Sequence, residues 1–129
     1  MPRSEAVTEG IRVEVESRYH PDRSDPGGGQ WFFSYTIRIT NVGERTARLL
    51  NRHWIITDAD GQTEEVRGPG VVGQQPVLAP GQSFKYTSFC PLNTSFGTMH
   101  GTYEMATDDG RTFDVEIAPF ALGEEHSIN

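Results

Sequence analysis

The residues most suggestive of chemistry lie in Arg67–Ser83, "RGPGVVGQQPVLAPGQS". Gly68, Gly70 and Gly73 satisfy the spacing G-x-G-x-x-G, the fingerprint of a dinucleotide-binding turn. That chemistry needs a strand before the glycines and a helix after them, whose N-terminus meets the pyrophosphate. Pro76 and Pro80 follow within one helix length of Gly73 and would disrupt such a helix. No Gly-Lys-Ser/Thr follows, so a Walker A loop is excluded too. Two readings of the glycines stay open. One is a structural loop in which Gly permits positive φ and Val71, Val72 and Val77 pin the segment to the core. The other is an anion nest of converging backbone N–H groups, with Arg67 adding charge and Arg52 and His53 joining if the fold brings them close.

Other candidate groups carry less. His20, His53, His100 and His126 are scattered, with no i, i+2 pair to place two on one strand face. Cys90 has no cysteine partner, so no metal site is expected. Beside Phe89 and Pro91 it reads as a small packed hydrophobe rather than a nucleophile. Asp58 and Asp60 open like a calcium loop but lack the acidic ladder that an EF-hand continues with, so turn formation is expected. Asp108 and Asp109 read the same way, and no Ser-centred elbow has supporting context. No catalytic residue and no cofactor is assigned.

These residues need elements to position them, and the elements are strands. Ile11, Val13 and Val15 alternate with Arg12, Glu14 and Glu16. "WFFSYTIRIT" places Trp31, Phe33, Tyr35, Ile37 and Ile39 on one face. "LLNRHWIITD" is apolar on both faces near Trp54, Ile55 and Ile56, which predicts a central strand. Asp58–Gly61 turns into a short strand at Gln62–Val66. Pro80-Gly81 fits the centre of a type II turn, and "QSFKYTSFC" follows as a strand. Asp109-Gly110 separates "TMHGTYEMAT" from "RTFDVEIAPF", as in a hairpin. No stretch has helical periodicity. About seven strands at this spacing predict a β-sandwich. Its core should include Trp31, Phe33, Tyr35, Ile37, Trp54, Ile56, Phe84, Tyr86, Tyr103, Phe113 and Val115. "SDPGGGQ" at Ser24–Gln30 reads as a flexible loop.

A chain of 129 residues suggests a single domain, with its core spanning about 11–122 between a flexible N-terminus and a C-terminal tail. The net charge is −7, with eight basic against seven acidic residues up to Thr57 and three against eleven from Asp58 onward. Such a chain is a poor partner for nucleic acid. The lone cysteine, the missing apolar signal core and the absence of any long apolar run predict a cytoplasmic protein without a membrane span.

"RHWIITDADG", "EEVRGPGVVGQQPVLAPG", "FKYTSFCPL" and "GTMHGTYEM" together resemble the ApaG family, also called CorD, from about Val13 to Leu122. The resemblance implies an immunoglobulin-like or fibronectin type III-like sandwich and a Gly-x-Gly-x-x-Gly loop, here Gly68, Gly70 and Gly73. It also implies a genetic association with cobalt and magnesium efflux. Related domains in a eukaryotic F-box protein and a polymerase-delta-interacting protein point to protein–protein interaction; no catalytic activity is established for the family. Phe89, where the family often has Gly, and Ser95, where Pro is common, depart from its pattern in what reads as one loop. The expected function is a non-catalytic binding module for an unidentified protein, and a homodimer is compatible with it. The alternative is a weak sensor of a phosphate-containing small molecule (phosphate, pyrophosphate or a nucleotide polyphosphate) using Gly68–Gly73. An enzyme has the least support.

Overall fold

The computed structural model describes residues 2–124, which form an all-β sandwich. The strands are β1 (Arg3–Thr8), β2 (Ile11–Tyr19), β3 (Trp31–Asn41), β4 (Ala47–Asp58), β5 (Thr63–Pro69), β6 (Val77–Leu78), β7 (Ser83–Leu92), β8 (Phe96–Thr107) and β9 (Thr112–Gly123). One sheet runs β1-β2-β3-β7 and the other β5-β4-β8-β9, with β6 added to β4. Neighbouring strands are antiparallel throughout.

The alternation read in the sequence becomes two inner faces. Phe33, Tyr35, Ile37 and Ile39 of β3 are buried against Trp54 of β4 and Tyr103 of β8. The Trp54 ring meets Tyr35 at 5.3 Å, Phe120 at 5.9 Å and Tyr103 at 6.4 Å between centroids, each edge-on. Tyr86, Phe113 and Val115 are buried as expected, while Trp31, Ile56 and Phe84 are only partly buried against the core. Strand β4 is central, flanked by β5 and β8.

Two interruptions keep the inner faces apolar. Ala47 and Leu49 are buried on odd positions of β4 and Trp54 on an even one, because the register shifts between Leu49 and Asn51. In β9 the buried set moves from Phe113, Val115 and Ile117 to Phe120 and Leu122 across a second shift. Pro119 falls in that gap, where no ladder N–H is required.

Three local readings are corrected. Residues 3–8, expected as a flexible lead, form β1, which pairs along its length with β2 through a tight turn at Glu9 and Gly10. Both turn residues have positive φ, 45° and 82°, the handedness that matches strand twist. β1 also lies beside β9: Ser4 Oγ donates to the Ala118 carbonyl at 2.8 Å, and Glu116 N donates to Thr8 Oγ1 at 3.1 Å. Residues 24–30 are organised rather than a plain loop. Pro26–Gly28 make a 3-10 turn whose Gly28 N–H reaches the Asp25 side chain, and Asp25 pairs with Gln30. Phe89 lies within strand β7, not in a loop with Ser95, because it continues the pairing with β3 opposite Ser34.

Candidate functional site

The glycine segment is a knot of backbone hydrogen bonds. Val71 and Gln74 exchange N–H···O bonds of 2.8 and 2.9 Å, closing a two-residue turn at Val72 and Gly73. Both turn residues have positive φ, 43° and 79°. Gly70 N donates to the Leu50 carbonyl at 2.8 Å and itself has φ +60°. A Cβ at Gly70 would stand 2.2 Å from the Gln74 carbonyl oxygen, so only glycine fits there. Gly68 continues the β4–β5 ladder opposite Arg52. Val71 alone of the three valines is buried. Val72, at the turn tip, is 52 % exposed, and Val77, on the outward side of β6, is 55 % exposed, so those two do not pin the loop.

This geometry removes most of an anion nest. The amides of Gly70 and Val71 are taken by the carbonyls of Leu50 and Gln74, and Pro69 has none. Only Val72 and Gly73 within Gly68–Gly73 keep amides outside the ladder and without a backbone acceptor among the described residues. Arg52 turns to the loop's carbonyls instead: its Nη1 donates to Pro69 O at 2.9 Å and to Gly70 O at 3.0 Å.

The other candidates lie across the strand. His53 faces away from the Trp54 side of β4, opposite Arg67 in the β4–β5 register. His53 Nε2 is 2.7 Å from Glu65 Oε1, and Arg67 Nη2 is 3.5 Å from the same oxygen. These contacts, His53 first, hold the Glu65 carboxyl below its ordinary range. A shallow depression on this face adds Asn51, Thr102, Glu104 and Asp114. Asn51 Nδ2 donates to Glu104 Oε1 at 2.7 Å. With carboxylates interleaved among the cations, the depression has no single sign of charge. The six sequence candidates therefore divide: His53 and Arg67 on the outer face, Arg52 bound to the loop, and Gly68, Gly70 and Gly73 serving the loop's own shape.

Elsewhere the polar groups are used locally. Asp58 Oδ1 accepts from the amides of Asp60 and Gln62, both at 2.9 Å, which is turn chemistry. His20 Nε2 is 2.7 Å from Ser34 Oγ. No group of three or more His, Cys, Asp or Glu side chains suited to a metal occurs among the described residues, and His126 lies outside them. Cys90 is buried, and burial pushes its thiol up to about 12, with the nearby Glu64 charge adding to the shift. A thiol so shifted is a poor nucleophile at neutral pH. No helix among the described residues is long and apolar enough to cross a membrane.

The free side of β7 is a further candidate surface. Among the described residues this strand pairs only with β3 and ends its sheet. Asn41 N donates to Gln82 O at 2.9 Å, which sets the alternation of the β3–β7 ladder. In that alternation Phe84, Tyr86, Ser88 and Cys90 bond to β3, and the N–H and C=O groups of Ser83, Lys85, Thr87 and Phe89 point away from it. Pro91, with no N–H, ends the series. The alternation of "SFKYTSFCP" is visible in the sequence; the strand's edge position is not.

Comparison with known proteins agrees with the fold and the motifs. The ApaG domain pattern matches residues 21–107. Protein ApaG of Anaeromyxobacter dehalogenans strain 2CP-C is 57 % identical over 126 residues, covering 98 % of this chain and 99 % of that protein. Protein ApaG of Rhodopseudomonas palustris strain TIE-1 is 56 % identical over 117 residues, covering 91 % and 90 %. A Bordetella pertussis crystal structure named as an ApaA protein superposes with a TM-score of 0.88 at 53 % identity, over 89 % of this chain and 94 % of that one. The chain belongs to the ApaG family.

Proposed function

We propose that this chain is a non-catalytic protein-binding module that receives an extended segment of a partner along β7. The observation that carries the reading is the run of outward backbone donors and acceptors at Ser83, Lys85, Thr87 and Phe89. An unpaired edge of this length is a template for strand addition, in which main-chain hydrogen bonds supply affinity and alternate side chains supply specificity. The opposite side of the same sheet is not comparably open, since β1 lies against β9 with hydrogen bonds to it. The module acts in the reducing cytoplasm, and the family's association with cobalt and magnesium efflux runs through the bound partner rather than through an ion held here.

Thr87→Pro tests this reading, because it deletes the central outward N–H and leaves the backbone bonds to β3 in place, removing only the exposed Thr87–Thr36 hydroxyl contact. A stoichiometric partner captured from native cytosol by the wild-type chain should be lost with the variant while its unfolding midpoint barely moves. Full retention of the partner by a folded Thr87→Pro variant overturns strand addition at β7.

A further inference from the structure

The outer face beside the β7 edge carries an unusual set of cations. In a chain with 18 acidic and 11 basic side chains, half of the ten arginines lie beside a carboxylate. Arg3, Arg12, Arg45, Arg67 and Arg111 each lie within 4 Å of one. Arg18, Arg23, Arg38, Arg48, Arg52 and Lys85 make no such pair among the described residues. Three of these six are on the outer face of the first sheet: the register places Arg38 between Lys85 and Glu14, whose carboxylate turns to Arg12, and aligns Arg18 with Ser34 and Phe89. Arg23 reaches the same face from the turn before β3, its guanidinium carbon 4.5 Å from the Phe32 ring centre and 5.5 Å from that of Phe89. The two phenylalanines stack at 5.5 Å and 30° between planes. Phe89 stays 50 % exposed, a large apolar ring left in water.

Lys85, Thr87 and Phe89 thus have two properties at once. Their backbone groups face the open edge, and their side chains lie on this cationic, aromatic face. A strand added there sets its own alternate side chains opposite theirs, within reach of cross-strand pairing. Given the proposed binding role of β7, on which this step rests, we propose that the partner segment is an extended acidic–aromatic peptide. It places a carboxylate opposite Lys85 and an aromatic ring opposite Phe89, four residues apart. The carboxylate meets Lys85 and Arg38, and the ring joins the Phe32–Phe89 stack beneath Arg23. A second copy of this chain is the poorer occupant, because pairing two β7 edges gathers Lys85, Arg38 and Arg23 of both chains along one seam. Lys85 and Pro91 guard the edge against that pairing, as charge and proline do on exposed strands.

The test uses the full chain and synthetic peptides in a low-salt NMR titration. The first peptide, Ser-Phe-Val-Thr-Val-Glu-Ser, aligns Phe with Phe89 and Glu with Lys85 when it adds antiparallel, and its reversed sequence does so when parallel. The third replaces Glu of the first by Lys. The first or the reversed peptide should shift and protect the amides of Ser83, Lys85, Thr87 and Phe89, and the Lys peptide should bind less well. Lys85→Glu should weaken the Glu peptide by about fivefold and strengthen the Lys peptide by a similar factor. Phe89→Ser should weaken both. Binding at β7 that ignores the charge swap overturns the acidic partner and leaves strand addition standing. Shifts confined to residues away from β7, with partner capture indifferent to Thr87→Pro, overturn both. A concentration-dependent dimer that Thr87→Pro abolishes assigns the edge to a second copy and overturns the acidic peptide.

Discussion

Arg52 donates from Nη1 to the Gly70 carbonyl at 3.0 Å, so the cation nearest the glycine run binds the loop's own oxygens. The same nitrogen reaches Pro69 O at 2.9 Å, and the Arg52 charge extends to the buried hydroxyls of Tyr35, Tyr86 and Tyr103. Arg52 therefore ties strand β4 to the loop that follows β5. An arginine committed in this way offers little to a phosphate.

A titration with pyrophosphate checks that consequence. The amides of Gly70 and Val71 should stay unmoved at several millimolar ligand, since each is hydrogen-bonded within the protein. Any shift should be confined to Val72, Gly73 and the exposed Arg67, should correspond to a Kd on the order of 1 mM or weaker, and should fade with salt. Coherent shifts across Gly68–Gly73 with a Kd below about 0.1 mM would restore the anion nest.

The two turn glycines should respond differently to alanine. Gly70→Ala drives its methyl to 2.2 Å from the Gln74 oxygen, whereas a Cβ at Gly73 meets nothing within 4 Å. Gly73→Ala should cost about 1 kcal/mol, the penalty of a left-handed backbone alone. Gly70→Ala adds a backbone clash and should cost about 2–4 kcal/mol. Equal losses in urea unfolding would mean that conformation rather than space governs both sites.

Trp54→Ala should cost about 3–5 kcal/mol. Its ring is 3 % exposed and touches aromatic residues of both sheets, so truncation opens a cavity at the centre of the sandwich. A loss below about 1 kcal/mol would contradict this packing.

Stability should fall under alkaline conditions. The hydroxyls of Tyr86 and Tyr103 touch one another between the sheets. Burial raises both above their ordinary 10.0 and lifts Cys90 from 9.0 to about 12. A folded-state pKa above the unfolded one leaves stability intact below the unfolded value and removes it as pH rises, because the unfolded chain ionises first. Each group contributes a slope of about 1.4 kcal/mol per pH unit once its unfolded form ionises. Urea midpoints measured from pH 8 to 11 should be level at first and then decline from about pH 9 upward. A flat profile to pH 11 would show that these groups are open to solvent.

Cys90 should also resist a thiol reagent such as Ellman's reagent at pH 8 until the chain is denatured. Its side chain is 4 % exposed and its thiol is held protonated by burial. Rapid stoichiometric labelling of the native protein would overturn this reading.

The sheet faces and most of the turns are legible in the order of the residues alone. Side chains alternate strictly along a strand, so Phe33, Tyr35, Ile37 and Ile39, like Phe113, Val115 and Ile117, share one face. Pro80-Gly81 and Asp58–Gly61 carry their turn geometry in their own residues: Gly81 and Gly61 take φ of 87° and 82°. The family was legible for the same reason, because glycines such as Gly70 and Gly101 answer to local crowding; a Cβ at Gly101 would lie 2.0 Å from the His53 carbonyl oxygen. Which polar groups are already taken, by contrast, emerges only from the folded chain. Whether Arg52 meets an anion or a carbonyl depends on the β4–β5 register, and whether β7 is an edge depends on strand order. Both are set by contacts between residues distant in the chain, where apolar burial chooses the register and no nearby residue records the result.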